Sequence, residues 1–264
     1  MFTESKGAWK QSAELKGSDT VAGDTFGSAV ALSGTTAVVG APDHGSYAGT
    51  AYVFTETKGA WKQRAELSGT DTVAGDTFGS AVAISGTTAV VGAAGHAGAA
   101  GRAYVFTETK GAWKQRAELK GSDTVSSDYF GSSVAISGTT AVVGAHGHAN
   151  STGRAYVFTE AKGAWKQAAE LQGSDTVPGD LFGYSVAVSG TTAVVGTPEQ
   201  AADAGRAYVF TKTTRAWKRA AELQGSNPDT DDVFGFSVAI SGAAAVVGAY
   251  GHAKNIGQAY VFEA

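Results

Sequence analysis

The sequence contains no cysteine, one methionine and only four prolines in 264 residues. Without cysteine, a disulfide framework and a thiolate metal site are both excluded. Charged residues are scarce at 17%, and 20 basic and 24 acidic side chains give a net charge of -4. This weak and balanced charge does not favour binding to nucleic acid or to an anionic membrane. No apolar stretch approaches the ~20 residues that span a membrane, and we expect no signal peptide in this chain because its start lacks an apolar run.

Glycine, in contrast, is abundant at 37 residues, and the sequence repeats itself. Tryptophan recurs every 52 residues, at Trp9, Trp61, Trp113, Trp165 and Trp217. A Phe-Gly pair keeps the same interval, beginning at Phe26, Phe78, Phe130, Phe182 and Phe234. A fixed period of this length is typical of repeat architectures. We therefore predict one domain over residues 1–264, built from five 52-residue repeats.

Each repeat predicts four short strands, which in the second repeat are 78–84, 88–92, 102–106 and 113–119. The turn residues Ser85, Gly86 and Thr87 separate the first two strands, and a variable loop, 93–101, separates the second and third. The second strand is continuously apolar, which indicates burial of both its faces. The fourth strand alternates apolar and charged residues, which is typical of an outer strand with one exposed face.

Small four-stranded sheets cannot bury their faces alone and stack radially on one another. We therefore predict an all-β fold, a five-bladed β-propeller with four antiparallel strands per blade. The chain ends at Tyr260-Val261-Phe262, where the register of Phe2-Thr3-Glu4 begins. The N-terminal strand, 9–15, is accordingly predicted to complete the last blade and close the ring, and we expect a monomer.

The segments Phe78-Gly79-Ser80 and Val91-Gly92-Ala93, and in the first repeat Val39-Gly40-Ala41-Pro42, resemble the FG-GAP repeat. The chain is similar to the N-terminal propeller of integrin α subunits and more closely to the compact FG-GAP repeats of bacterial extracellular proteins. The resemblance implies an extracellular or cell-surface location. It does not carry over calcium binding, because the Asp-rich loop of integrin blades is replaced by turns such as Ser33-Gly34-Thr35. Five blades also differ from the seven usual in the family.

In the blade topology of this family, the loops between strands four and one and between strands two and three share one face. The first loop places a carboxylate in every repeat, at Asp24, Asp76, Asp128, Asp180 and Asp232. A second carboxylate precedes it at Asp19, Asp71, Asp123 and Asp175, with Asn227 in the fifth repeat. These carboxylates are candidate ligand-binding acceptors. Alternatively, each aspartate caps its own turn, which is the stronger interpretation.

The second loop places histidines in register at His44, His96, His148 and His252, with Gln200 in the fourth repeat and His146 as an extra residue. These histidines are candidate ligand-binding residues that could act as separate, pH-sensitive contacts. A metal site is not predicted, because side chains delivered once per blade need not converge on one ion. The remaining interpretation is that they are solvated loop residues. No cofactor is predicted.

Catalytic motifs are missing from the sequence, and near-identical repeats argue against a unique active site. We therefore predict a noncatalytic binding propeller that presents repeated polar loops on one face to a glycan or protein ligand. The alternative is an engineered or recently amplified symmetric repeat scaffold with no specific ligand.

Overall fold

A computed structural model describes residues 1–5 and 7–263. Their regular structure is almost entirely antiparallel β-sheet, as predicted. The chain starts with a hairpin of β1 (Phe2–Ser5) and β2 (Ala8–Gln11). The first sheet then contains β3 (Val30–Ser33), β4 (Thr36–Ala41), β5 (Thr50–Thr57) and β6 (Ala60–Leu67). The second contains β7 (Phe78–Ser85), β8 (Thr88–Ala93), β9 (Arg102–Thr109) and β10 (Ala112–Leu119).

The third sheet contains β11 (Ser133–Ser137), β12 (Thr140–Ala145), β13 (Arg154–Ala161) and β14 (Ala164–Leu171). The fourth contains β15 (Ser185–Ser189), β16 (Thr192–Thr197), β17 (Arg206–Lys212) and β18 (Trp217–Leu223). The fifth contains three strands, β19 (Phe234–Ser241), β20 (Ala244–Ala249) and β21 (Gln258–Glu263). Between the second and third strands lie single helical turns, α1 (His44–Tyr47), α2 (His96–Ala99), α3 (His148–Ser151) and α4 (His252–Asn255). None of these turns is long and apolar enough to cross a membrane.

The strand patterns follow from the sequence as predicted. In the first four sheets the second strand, such as β8, is buried from its second residue to its end, whereas in the fifth sheet Val246 of β20 is 39% exposed. Along β10 the side chains alternate between exposed and half-buried, and Leu119 at its end is buried. Neighbouring sheets pack face to face through these apolar residues. Between the second and third sheets, Val90, Val105 and Leu119 meet Phe130 and Tyr156, and all five are essentially inaccessible to solvent.

The recurring glycines allow adjacent sheets to approach closely. A Cβ added to Gly40 would lie 1.9 Å from the carbonyl oxygen of Gly79 in the next sheet, and Gly79 has a φ of +92°. A side chain at either position would therefore force the two sheets apart. The same contact recurs at Gly92 with Gly131, Gly144 with Gly183, and Gly196 with Gly235.

The predicted closure by the N-terminal strand is not confirmed. In the structure β2 pairs with β1, and β21 has β20 as its partner, so the fifth sheet has three strands and not four. The physical reason lies in the sequence, because Phe2-Thr3-Glu4 repeats the end of a third strand and gives β2 a local partner. Phe2 pairs with Gln11, which is the partner that the repeat register gives to Phe262, so β2 can pair with β21 only by leaving β1.

Candidate functional site: the loop face

The loops at one end of the five sheets pack together and form what we call the loop face. It consists of two sets of loops. The inward loops lead into the first strand of each sheet and are 17–26, 69–78, 121–130, 173–182 and 225–234. The return loops join the second and third strands of each sheet and are 42–49, 94–101, 146–153, 198–205 and 250–257. Adjacent repeats are joined here by backbone hydrogen bonds. The N–H of Phe78, for example, donates to the carbonyl oxygen of Ala48 at 3.0 Å. The loop face is therefore a continuous, ordered surface over the sheets.

Each predicted aspartate of the inward loop caps its own turn. The Oδ2 atom of Asp24 accepts a hydrogen bond from the N–H of Val21 at 2.7 Å. The equivalent bonds occur at Asp76, Asp128, Asp180 and Asp232. All five aspartates are between 3% and 6% exposed. The geometry is that of the turn-capping interpretation, and these carboxylates are directed inward.

The predicted histidines contact these aspartates. His44 Nδ1 lies 2.9 Å from Asp24 Oδ2, and the same contact is made by His96, His148 and His252. The opposite nitrogen, His44 Nε2, lies 3.6 Å from Asp19 Oδ2. Asp19 also accepts a hydrogen bond from the hydroxyl of Tyr52 at 2.7 Å. Together they form a four-residue clamp that ties the inward loop to the return loop of the same repeat.

Complete clamps occur in the first three repeats, and the last two repeats each change one member. The second clamp contains Tyr104, Asp71, His96 and Asp76, and the third contains Tyr156, Asp123, His148 and Asp128. In the fourth repeat Gln200 replaces the histidine, and its Oε1 atom lies 2.7 Å from the Tyr208 hydroxyl. In the fifth, Asn227 replaces the outer aspartate, while His252 keeps its contact with Asp232.

The capping aspartates of the first and fourth repeats differ in their electrostatics. The hydrogen bond from His44, followed by that from the N–H of Val21, holds the pKa of Asp24 below its usual value. In the fourth repeat, where no histidine is available, burial raises the pKa of Asp180. Burial, followed by the hydrogen bond to Asp19, raises the pKa of Tyr52 far above the neutral range. Tyr52 therefore remains protonated and serves as a hydrogen-bond donor.

Eight of the nine predicted site residues are thus brought together as four histidine–aspartate pairs, in the first, second, third and fifth repeats, and not around one centre, while Asp180 of the fourth repeat has no histidine beside it. The four histidines are 12% to 24% exposed, and in the first three repeats both ring nitrogens face carboxylates. Within the described residues, no group of three or more acidic or histidine side chains could hold a metal ion. Ligand binding by these nine residues stays a prediction.

Two exposed features of the loop face were missed in the sequence. The first is a set of valines at the tips of the inward loops, Val21, Val73, Val125 and Val177, which are 57% to 68% exposed. The sequence feature that could have identified them is the recurrence of a valine within each of these polar loops. The second is the aromatic row, which we define as Tyr129, His146, Tyr184, Phe236 and Tyr250. These residues stand where the repeats differ from one another, and that difference was the signal.

Comparison with known proteins returned one family. A family model described as FG-GAP repeat matches residues 9–54, 61–106, 113–158, 165–210 and 217–262. The five matches follow the 52-residue period and together span most of the chain. No curated protein matches the sequence.

Proposed function

We propose, from the premise that this chain belongs to the FG-GAP repeat family, that it is a noncatalytic interaction module which binds a protein or glycan ligand on the loop face. FG-GAP repeats point to a binding or interaction role in general terms. The observation that carries the proposal for this surface is the set of exposed valines, which recurs in register across four repeats. An exposed apolar side chain that recurs on one surface offers a ligand one apolar contact per repeat.

Beside each of the first three valines lies a half-exposed carboxylate. The side chains of Asp19, Asp71 and Asp123 are 45% to 48% exposed. An apolar tip next to an acceptor suits a protein ligand with mixed polar and apolar side chains, and repeated weak sites gain avidity on a repetitive partner. In this proposal the clamps hold the loops in position. A ligand that contacted the histidines directly would have to displace a bound carboxylate.

The proposal is tested by measuring binding to a glycan array and to a panel of extracellular proteins, followed by titration calorimetry. Replacing Val21, Val73, Val125 and Val177 with serine is expected to weaken binding about tenfold or more, because each site loses apolar contact area. A matched control replaces four exposed residues of the fourth strands with serine, namely Lys62, Lys114, Lys166 and Lys218, and should bind like the wild type. A chain that binds nothing in either panel would instead favour the repeat scaffold with no ligand.

We also propose that the first and fifth sheets join, so that the five sheets form a closed propeller. The glycine contact between adjacent sheets supports this. A Cβ added to Gly27 would meet no atom within 4 Å, and one added to Gly248 would meet only Ser237 of its own sheet. In every other repeat the equivalent glycines face each other across an interface. Joining the ends would pair Gly248 with Gly27 and complete a fifth contact of the same kind.

Apolar surfaces support the same closure. Val246 and Val261 in the fifth sheet are 39% and 66% exposed, whereas their equivalents Val38 and Val53 in the first sheet are fully buried. Trp9 is 71% exposed, although Trp113, Trp165 and Trp217 all pack into interfaces between sheets. Between the fourth and fifth sheets lies a cavity of about 390 Å³, lined by residues that include Val194, Val209, Leu223, Ile240 and Phe262. By repeat register, this is the position for the side chain of Trp9.

Closure is tested with a disulfide, for which the cysteine-free chain is a suitable background. Val53 faces Ala65 in the first sheet, and the equivalent pair across the closure is Val261 with Ala13. In the variant Ala13→Cys, Val261→Cys we expect a monomeric cross-link under mild oxidation. The control pair, Ala13→Cys with Val209→Cys, should not cross-link, because Val209 is already paired with Ala221. A linked dimer would mean that the ends join between two copies, and no cross-link would mean that they remain apart.

A further inference from the structure

Residues that depart from the repeat converge on one arc of the loop face. Tyr184 and Phe236 stand where the first three repeats have serine, at Ser28, Ser80 and Ser132. Tyr250 and His146 stand where the other repeats have proline or alanine, at Pro42, Ala94 and Pro198. The rest of the repeat is nearly constant from one repeat to the next. Residues that differ from the repeat and also contact one another therefore indicate a local role that the fold itself does not require.

The aromatic row is continuous across three repeats. The rings of Tyr129 and His146 stack with centroids 5.2 Å apart and planes at 5°. His146 and Tyr184 are 5.6 Å apart, Tyr184 and Phe236 are 5.0 Å apart, and Phe236 and Tyr250 are 4.6 Å apart. Tyr129, Phe236 and Tyr250 are each 38% to 53% exposed. The row is therefore held by its own contacts and still offers ring surface to a ligand.

At one end of the row lies an acidic recess of about 280 Å³. It is lined by Tyr250, Val233 and Asn255 together with the carboxylate-bearing residues Glu199, Asp203 and Asp231. Within residues 1–5 and 7–263, none of these three carboxylates forms an ion pair. Burial, followed by repulsion from Asp203 and Asp180, raises the pKa of Glu199. A positive charge placed in the recess would relieve this repulsion.

We propose that the aromatic row and the acidic recess together form a binding site for a basic peptide segment of a protein partner, with an arginine or lysine in the recess and further side chains along the rings. The inference rests on the proposed function, since it places one specific ligand class on the loop face. Guanidinium groups stack on tyrosine and phenylalanine rings, and the attraction increases where water is excluded.

The aromatic row carries no positive charge that would repel a cation. Burial lowers the pKa of His146, so its ring is neutral at pH 7. Its Nδ1 atom lies 2.9 Å from the hydroxyl oxygen of Ser132, which fixes the ring orientation. A peptide lying along the row would thus meet neutral aromatic surface first and three carboxylates at its end. A neutral glycan could also stack on the rings, but it would leave the carboxylates without a counter-charge.

The test uses the full chain and three synthetic peptides of one length, an alternating arginine–glycine peptide, its citrulline counterpart and its glutamate counterpart. Citrulline keeps the planar shape of arginine and removes its charge. The arginine peptide is expected to bind about tenfold more tightly than the citrulline peptide, with affinity that falls as salt increases. Maltohexaose serves as the glycan probe. Affinities are measured by calorimetry and by tyrosine fluorescence.

Two variants separate the row from the recess. Tyr184→Ser with Phe236→Ser introduces the serine that three repeats already carry, so the fold should be retained, and it is expected to reduce arginine-peptide binding about tenfold. Glu199→Gln with Asp203→Asn should remove most of the preference for arginine over citrulline. The matched control is Tyr47→Ser, which removes a loop-face tyrosine that is 58% exposed and lies outside the row. This control should bind like the wild type.

Several results would overturn the inference. These are failure of the wild type to bind the arginine peptide, equal binding by the serine double variant, or equal binding of arginine and citrulline peptides. Binding of maltohexaose that depends on the row, without peptide binding, would make it a glycan site. Failure here is distinguishable from failure of the proposed function, because the valine variants report on the loop face independently of the row.

Discussion

Equivalent residues of the repeat have different surroundings in two kinds of place. One is the four interfaces between adjacent sheets, and the other is the two outer surfaces at the ends of the array. Phe130 lies in an interface and is fully buried, whereas its equivalent Phe26 packs against Tyr52 and Phe54 of its own sheet and is only partly buried. Leu32 is 57% exposed, whereas its equivalent Ile84 is 9% exposed. The difference shows that one sheet does not bury its own core. Each repeat depends on the next for that, as in other repeat proteins.

The largest effect is expected from removing an interface phenylalanine. Phe130→Ala should lower the free energy of unfolding by about 3–5 kcal/mol, because it leaves a cavity between two sheets. If the ends join as we propose, Phe26→Ala should cost a similar amount. Urea denaturation of both variants measures the comparison. A cost for Phe26→Ala of only about 1–2 kcal/mol would place this residue on an open end.

A smaller effect is expected in the clamps, where the repeats provide their own comparison. His96→Ala should cost roughly 1.5–3 kcal/mol, because the nearly buried carboxylate of Asp76 loses a hydrogen-bond donor. His96→Gln, which copies Gln200 of the fourth repeat, should cost less because the amide can still contact Tyr104. Thermal denaturation and hydrogen exchange of the second inward loop would show this order. Equal losses for the two variants would contradict it.

The smallest effect concerns the charge of the capping aspartate and depends on pH. The folded-state pKa of Asp24 lies below its usual value of 3.8, so its stabilising contribution is present above about pH 4 and is lost as the pH falls through the folded-state pKa. Asp24→Asn keeps an acceptor for Val21 and removes the charge. It should therefore lower the melting temperature at pH 7, and this effect should shrink as the pH falls through the folded-state pKa of Asp24.

For Asp180 we expect the opposite dependence of stability on pH. Burial raises its folded-state pKa above 3.8, so its ionised form costs stability at pH 7, and protonation relieves this cost as the pH falls through the raised pKa. Asp180→Asn should accordingly leave the melting temperature at pH 7 unchanged or raise it. Parallel melting curves of both variants at pH 7 and pH 2 provide the measurement. Equal shifts for the two variants at pH 7 would show that the histidine does not set this difference.

Much of this architecture could be predicted from the sequence, because a period of 52 residues repeats one strand pattern five times. The strand order, the buried second strand and the alternating fourth strand were all predicted correctly. The candidate site was predicted less completely. The side chains of His44 and Asp24 were identified as lying on one face, but their mutual contact depends on how two loops separated by 20 residues are folded together.

The sequence by itself determined the repeat, the strands and the glycines where adjacent sheets approach closely, because these follow from local patterns that recur in every repeat. Only the tertiary structure showed that the histidines are bound to carboxylates, and that Tyr129, His146, Tyr184, Phe236 and Tyr250 form one row. The physical reason is that such contacts join residues from different loops and different sheets, and their distances are set by the packing between sheets and not by spacing along the chain.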